Sequence, residues 1–165
     1  MVGGLAVGAR AEPRYTRALD VAVTVSDDAE AERIVHAMLR TGYQLEALLE
    51  QAAIGRLATV RLKPPSGREI LDLLFASSGI ELDVVAGAEP LEVFPDVTVP
   101  IALRGDLMAM KALANRPQDL ADLDALRRQA TPADLERAQQ SARKIQQRGF
   151  ARGQDLVARL SQLLR

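Results

Sequence analysis

The chain has 165 residues, of which 48% are hydrophobic, and this composition is enough for one compact domain or for a small α/β unit with a helical appendage. It contains no cysteine, which excludes thiol catalysis and thiolate metal sites and fits a reducing cytoplasm. The apolar opening at 1–9 is too short to span a membrane and lacks a basic segment, so we expect a cytoplasmic protein that does not contact a membrane.

The net charge of −1 gives no general signature of nucleic-acid binding, but the charge is unevenly distributed. Residues 126–165 contain nine Lys and Arg against three Asp and Glu, a local charge of +6. Two interpretations of this basic region stay open. It is either the solvated face of surface helices or a patch that attracts phosphate groups.

The N-terminal segment begins with the glycine pair Gly3 and Gly4. A helix is predicted over Leu5–Arg10, so the glycine N–H groups would lie at its positive end and offer a cradle for phosphate. The next element is a buried strand predicted over Ala18–Val25. This strand contains Asp20, and since a buried unpaired carboxylate costs several kcal/mol, we expect Asp20 to face a cleft.

The middle of the chain combines a helix with a β-hairpin. Ser26 begins a helix that ends at Thr41 and Gly42, and 43–54 is predicted to be a short helical or irregular segment. Strands at Leu57–Lys63 and Glu69–Phe75 are joined by a turn at 64–67. The second strand contains Asp72, another carboxylate on a buried strand. Asp72 either faces the same cleft as Asp20 or accepts backbone N–H groups at a bulge.

The rest of the chain is predicted to be mainly helical. A helical turn at Ile80–Ala88 and two extended segments up to 103 precede four helices. Lys111 shares the inward stripe of the first of these helices, so it either extends outward or reaches a cleft where its ammonium holds phosphate. Asp119 and Asp122 follow Pro117 and are equally explained as acids that favour a helix N-terminus.

Two motifs resemble the nucleotidyltransferase superfamily with a polymerase-beta-like core, and most closely the AbiEii-type toxin family. The first motif combines the Gly3-Gly4 turn with Arg14, Thr16 and Asp20. The second motif consists of Lys111, Arg116, Asp119 and Asp122, with Gln118 in place of a second lysine. The resemblance implies an α/β fold with a mixed-sheet nucleotidyltransferase core at 1–103, followed by a bundle of helices packed on it at 104–165.

The resemblance also implies a role for each matched residue. Asp20 and Asp72 would hold Mg²⁺ or Mn²⁺, and Asp72 would also act on the attacking hydroxyl. Gly3, Gly4, Lys111 and Asp119 would bind the nucleotide and its phosphates. Ala18 stands where the first acid of the motif belongs, so half of the expected metal clamp is missing and we expect this chain to be close to inactive.

The implied activity is transfer of a nucleoside monophosphate from a nucleotide triphosphate to an acceptor hydroxyl. The acceptor would be RNA such as tRNA, or a protein, and the enzyme would be a toxin paired with an antitoxin protein. Two explanations of Ala18 stay open. Either it was engineered in place of an original aspartate to disable a toxic enzyme, or the acid was lost naturally and left a nucleotide-binding or partner-binding module.

Overall fold

The computed structural model describes residues 1–12, 15–51 and 54–165 and has the predicted mixed α/β architecture. The helices are α1 (Gly3–Arg10), α2 (Asp28–Arg40), α3 (Glu81–Ala86), α4 (Arg104–Ala114), α5 (Pro117–Arg128), α6 (Pro132–Gln147) and α7 (Leu156–Leu163). The strands are β1 (Ala18–Ala22), β2 (Gln44–Gln51), β3 (Arg56–Lys63), β4 (Ile70–Leu74), β5 (Glu89–Phe94) and β6 (Val97–Ile101). Arg14 of the first motif lies outside the described residues.

The main sheet has four strands in the order β1-β4-β3-β2. Strands β1 and β4 are parallel, whereas β3 is antiparallel to both of its neighbours, so the sheet is mixed. The predicted hairpin is confirmed as β3 and β4. In the register of the sheet, Asp20 pairs with Asp72 and Asp72 pairs with Arg61, which aligns these three residues across three neighbouring strands.

The two faces of this sheet differ because side chains alternate along each strand. On one face Val60, Leu62 and Leu73 are buried, and Ile34 and Met38 of α2 pack against them. Asp27 caps α2 by accepting the N–H of Glu30, as the sequence predicts. The opposite face carries Asp20, Asp72 and Arg61, which we call the charged row.

A second, larger core holds the helical region against the sheet. It combines α1 with residues before and within α4–α7, and its fully buried large side chains include Val7, Ile80, Ile101, Leu107, Met108, Leu126, Ile145, Leu156 and Leu160. The predicted boundary at residue 103 coincides with the change from strands to helices, but this core contains residues from both sides of it. The division into two parts stays a prediction.

The prediction for 43–54 is wrong, because this segment contains the edge strand β2. Leu45, Leu48 and Leu49 follow a helical spacing in the sequence. In the structure the β2–β3 ladder shifts register twice, once after Leu45 and once after Leu49. The first irregularity places Leu45 and Leu48 on one face of β2, opposite Leu62 and Val60, so two apolar residues of that face are three positions apart, as in a helix. Leu49 lies opposite Thr59 on the other face. Glu46 and Leu48 are both exposed, and the outer side of β2 has no neighbouring strand among the described residues.

The first two residues connect distant parts of the chain. The Val2 N–H donates to the Asp20 carbonyl at 2.8 Å, and the Ala102 N–H donates to the Met1 carbonyl at 3.0 Å. This short extended segment holds the start of α1 against β1. Within the described residues, no helix is both long and apolar enough to cross a membrane.

Candidate functional site

A cavity of about 300 Å³ lies between the charged row and helices α1, α4 and α5. Five of the residues predicted from the sequence line it: Gly3, Asp20, Asp72, Lys111 and Asp119. Its lining contains three acidic and four basic residues, the basic ones being Arg61, Lys111, Arg116 and Arg152. The three arginines among them are exposed, and their guanidinium groups suit an anionic ligand.

Asp20 and Asp72 lie side by side in this cavity. They are register partners on parallel strands, so their side chains leave the same face of the sheet at a spacing of about 5 Å. Burial raises the pKa of the Asp20 carboxyl, and the neighbouring Asp72 raises it further, while Lys111 acts in the opposite direction. The two acids therefore form a close carboxylate pair, as the sequence predicts for a shared cleft.

Gly3 allows Asp20 to approach the start of α1. The φ angle of Gly3 is +67°, and a Cβ atom at this position would lie 1.9 Å from Asp20 Oδ2. The Gly4 N–H forms a hydrogen bond that lowers the pKa of Asp20. Both glycines belong to the first turn of α1, which begins two residues earlier than predicted. The Gly4 N–H, expected to bind phosphate, thus binds the protein's own carboxylate, while Gly3 lines the cavity.

Ala18 and Gly4 do not line the cavity. Ala18 precedes Asp20 by two residues on β1, so its methyl group leaves the same face of the strand as the Asp20 carboxylate. It offers no oxygen atom beside the pair.

Asp72 is bound by Arg61, a residue that the sequence reasoning missed. Arg61 Nε donates to Asp72 Oδ1 and Arg61 Nη2 donates to Asp72 Oδ2, both at 2.8 Å. The missed signal lay in the hairpin turn. The predicted turn over 64–67 has its centre between Pro65 and Ser66, and it would place Arg61 opposite Ile70. The observed register has its centre one residue later, between Ser66 and Gly67, and places Arg61 opposite Asp72.

Lys111 is buried and contacts two carboxylates of the next helix. Its Nζ lies 3.0 Å from Asp119 Oδ1 and 2.9 Å from Asp122 Oδ2, and both aspartates are almost fully buried. We call these three residues the Lys111 cluster. Arg116 adds a contact from its Nε to Asp119 Oδ2 at 2.6 Å. Burial acts to raise the pKa of Asp119, but hydrogen bonds from Arg116 and Lys111 outweigh it and hold this pKa below its usual range.

Asp119 also stabilises the N-terminus of α5, which was the other role that the sequence allowed for it. It is the third residue of α5, and its Oδ2 accepts the backbone N–H of Arg116 at 3.2 Å. Its carboxylate therefore caps α5 and binds Lys111 at once.

Part of the positive charge of the basic C-terminal region is paired within the protein itself. Arg137 binds the buried Asp106, while Lys144 and Arg148 both bind Asp83. These pairs connect α6 to α4 and α3. They leave less free positive charge on this surface than the sequence count suggests.

The residues present do not fit the paired-ion clamp that the resemblance implies. Ala18 supplies no ligand, and both oxygens of Asp72 are bound by Arg61. Across residues 1–12, 15–51 and 54–165, no group of three or more His, Cys, Asp or Glu side chains is arranged to hold a metal ion. Of the two carboxylates in the charged row, Asp72 has a cationic side chain bound to both of its oxygens and Asp20 does not.

No protein-family model matches the chain, and no curated protein matches it significantly. The likeness to AbiEii-type nucleotidyltransferases therefore rests on the two motifs and on the residues that they bring to this cavity.

Proposed function

We propose that this cavity binds a nucleotide triphosphate and that the chain has the site of a nucleotidyltransferase in which Ala18 suppresses transfer. One observation carries the proposal: Asp20 and Asp72 are register partners on neighbouring parallel strands and face one cavity beside Gly3. A nucleotidyltransferase needs carboxylates at this spacing. The volume of about 300 Å³ is at the lower end of small-molecule sites, which span about 300–1,000 Å³.

The chemistry of the lining supports a ligand with several negative charges. Arg116 and Arg152 are exposed and reach the cavity from α5 and from the segment before α7. Their guanidinium groups suit phosphate oxygens because each presents several N–H donors in one plane. Lys111 adds positive charge at the cavity wall, although its ammonium is already bound by Asp119 and Asp122.

In the proposed reaction an acceptor hydroxyl oxygen forms a bond to the α-phosphorus of the nucleotide. The bond between that phosphorus and the oxygen of the departing pyrophosphate breaks, and the hydroxyl proton passes to Asp72. Asp72 has the position for this role because it lines the cavity next to Asp20. Mg²⁺ or Mn²⁺ belongs to the proposal only for a form of the chain with an acid at position 18, since the residues present do not fit the ion clamp.

The acceptor in this proposal is a hydroxyl group of an RNA such as a tRNA, or of a protein. The proposed enzyme is a cytoplasmic toxin that is paired with an antitoxin protein. The neutralised Lys144 and Arg148 reduce the support that the basic C-terminal region gave to an RNA acceptor. The second candidate function is a nucleotide-binding or partner-binding module without turnover. Ala18 and the Arg61–Asp72 pair favour this second candidate for the chain as it stands.

The test compares the Ala18 chain, which is called the wild type in every experiment below, with an Ala18→Asp variant. Each is incubated with the four labelled nucleotide triphosphates, Mg²⁺ and total RNA or total protein. We expect no transfer by the wild type and transfer of label by the variant, because the added carboxylate completes the expected acid pair on β1. A double variant Ala18→Asp/Asp20→Asn is the matched control and should transfer nothing.

Absence of transfer from every nucleotide by the Ala18→Asp variant would favour the binding module. Absence of nucleotide binding by the wild type, measured by calorimetry with and without Mg²⁺, would contradict the nucleotidyltransferase site and the nucleotide-binding module, and would leave only a partner-binding module.

A further inference from the structure

Arg61 brings a positive charge to the place where the resemblance expects a metal ion. It lies directly opposite Asp72 on the neighbouring strand, and both residues line the cavity. The contact is bidentate, with both distances at 2.8 Å. A bidentate pair between arginine and a carboxylate fixes the orientation of both groups more firmly than a single contact does.

Arg61 also keeps hydrogen-bonding capacity for a ligand. A guanidinium has five N–H donors, and the contact with Asp72 uses one on Nε and one on Nη2. Among the residues that the structure describes, no acceptor contacts its Nη1. The side chain is 45% exposed, whereas that of Asp72 is 9% exposed, and Arg61 lines the cavity. Glu46 and Asp20, both among the described residues, are near enough to act electrostatically on the guanidinium, but neither forms an ion pair with it.

The same geometry opposes a divalent ion at Asp72. Such an ion would approach a carboxylate whose two oxygens already face the Arg61 guanidinium, and the positive charges of the ion and the guanidinium would repel each other at that short separation. Ala18 offers no oxygen to offset that repulsion. Arg61 therefore fills the role of a counter-charge that is built into the chain.

We propose that the Arg61 guanidinium, held by Asp72, binds the phosphates of a nucleotide in this cavity in place of a divalent ion, so that nucleotide binding by this chain requires no metal. This inference rests on the proposed function, because it concerns the same cavity and ligand. It adds to the proposed function the residue that binds the phosphates and the expectation that nucleotide binding needs no metal ion.

The experiment uses the full chain and two probes. The first probe is each of the four nucleotide triphosphates, titrated by calorimetry in EDTA and in Mg²⁺. The second is Mn²⁺ alone, followed by electron paramagnetic resonance. The proteins are the wild type, Arg61→Gln and Arg61→Ala, with Lys63→Gln as the matched control because Lys63 is an exposed cation on the same strand. Circular dichroism checks that each variant is folded, and the near-isosteric glutamine variant is used if the alanine variant is not.

We expect the wild type and Lys63→Gln to bind a nucleotide equally well in EDTA and in Mg²⁺, and to bind no Mn²⁺ alone. Loss of the Arg61 charge should weaken binding in EDTA by about tenfold or more, since a charge-assisted hydrogen bond contributes about 1.5–3 kcal/mol. The Arg61 variants should gain Mn²⁺ binding, because both oxygens of Asp72 are then free beside Asp20.

A wild type that binds nucleotide only with Mg²⁺ would overturn this inference and leave the proposed nucleotide site standing. Arg61 variants that match Lys63→Gln in EDTA would overturn it in the same way. A wild type that binds no nucleotide under either condition would overturn the proposed function together with the inference.

Discussion

Lys111 and Arg61 line the same cavity and both contact aspartates, but their surroundings differ. The Lys111 side chain is 10% exposed and is shared by two aspartates that are 1% and 2% exposed. The Arg61 side chain is 45% exposed and has one aspartate partner. The ammonium of Lys111 therefore mainly connects α4 to α5, whereas the guanidinium of Arg61 keeps a free side. Burial and the number of partners, more than residue type, decide which of two cations in one cavity remains available to a ligand.

The largest effect is expected from breaking the Lys111 cluster. Asp119→Asn removes a charge from beside the buried Lys111 and should lower the free energy of unfolding by about 3 kcal/mol, because loss of one partner leaves a buried charge poorly compensated. Asp124→Asn is the matched control. Asp124 lies on the same helix with a half-exposed side chain and contacts Arg127 and Arg128, so its replacement should change stability far less than that of Asp119. Urea denaturation measures both values, and equal losses would contradict a structural role for the cluster.

The sequence predicted much of the fold for identifiable local reasons. Asp27 and the spacing of apolar residues defined α2, and the turn after Lys63 defined the β3–β4 hairpin. It failed at β2, where an irregularity in the ladder puts Leu45 and Leu48 on one face at a spacing typical of a helix. Regular periodicity is thus readable from local sequence, but an irregular edge strand depends on its neighbour.

The candidate site was predicted only in part, because its partners come from different elements. Asp20 and Asp72 stood out as acids on apolar strands, and the structure brings them together. Arg61 required the register of the hairpin, which differs from the predicted turn centre. The contacts of Lys111 with Asp119 and Asp122 required the packing of α5 on α4, which no spacing in the sequence specifies.

A smaller loss is expected when the access of Asp20 to α1 is blocked. Gly3→Ala should lower the free energy of unfolding by about 2 kcal/mol, because alanine is strained at a φ of +67° and its Cβ would overlap the Asp20 carboxylate. Gly149→Ala is the matched control, since Gly149 has a φ of +83° and no atom within 4 Å of the added Cβ. It should lose only about 1 kcal/mol from backbone strain. Thermal or urea unfolding that gives equal losses would show that contact with Asp20 does not matter.

Loss of the Arg61 charge should affect stability less than loss of the Asp119 charge. We expect Arg61→Gln to lower the free energy of unfolding by about 1 kcal/mol, because the side chain is nearly half exposed and water in the cavity can solvate Asp72. Lys63→Gln should have almost no effect. A loss of about 3 kcal/mol from Arg61→Gln in urea denaturation would place Arg61 in the same structural role as Asp119 and would remove the contrast with Lys111.

The smallest effect concerns the basic C-terminal region and depends on pH. Burial acts to raise the pKa of Asp83, but hydrogen bonds from Lys144 and Arg148 outweigh it and hold this pKa below its usual range. The stabilisation is therefore present above the unfolded pKa of about 3.9 and is lost as pH falls through the lower folded value. Lys144 and Arg148 are nearly half exposed, so Asp83→Asn should lose only about 0.5 kcal/mol at pH 7.

Urea denaturation of the wild type and Asp83→Asn at pH 7, 5 and 3 measures this dependence. The difference between the two proteins should shrink on acidification, and 0.5 M NaCl should reduce it at pH 7 because salt screens exposed pairs. A difference that grows at low pH would contradict the assignment of the Asp83 pairs.

The backbone bonds of Met1 and Val2 have a consequence for how the cavity forms. The Met1 carbonyl accepts the Ala102 N–H, and the Val2 N–H donates to the Asp20 carbonyl. The segment that holds Gly3 beside Asp20 is therefore fixed by one partner near it in the sequence and by one about a hundred residues away. During synthesis, the opening residues remain unpaired on one side until residue 102 has left the ribosome. Closure of so long a loop is entropically unfavourable and slow. The cavity beside Gly3 therefore cannot be complete before residue 102 is available to pair with Met1.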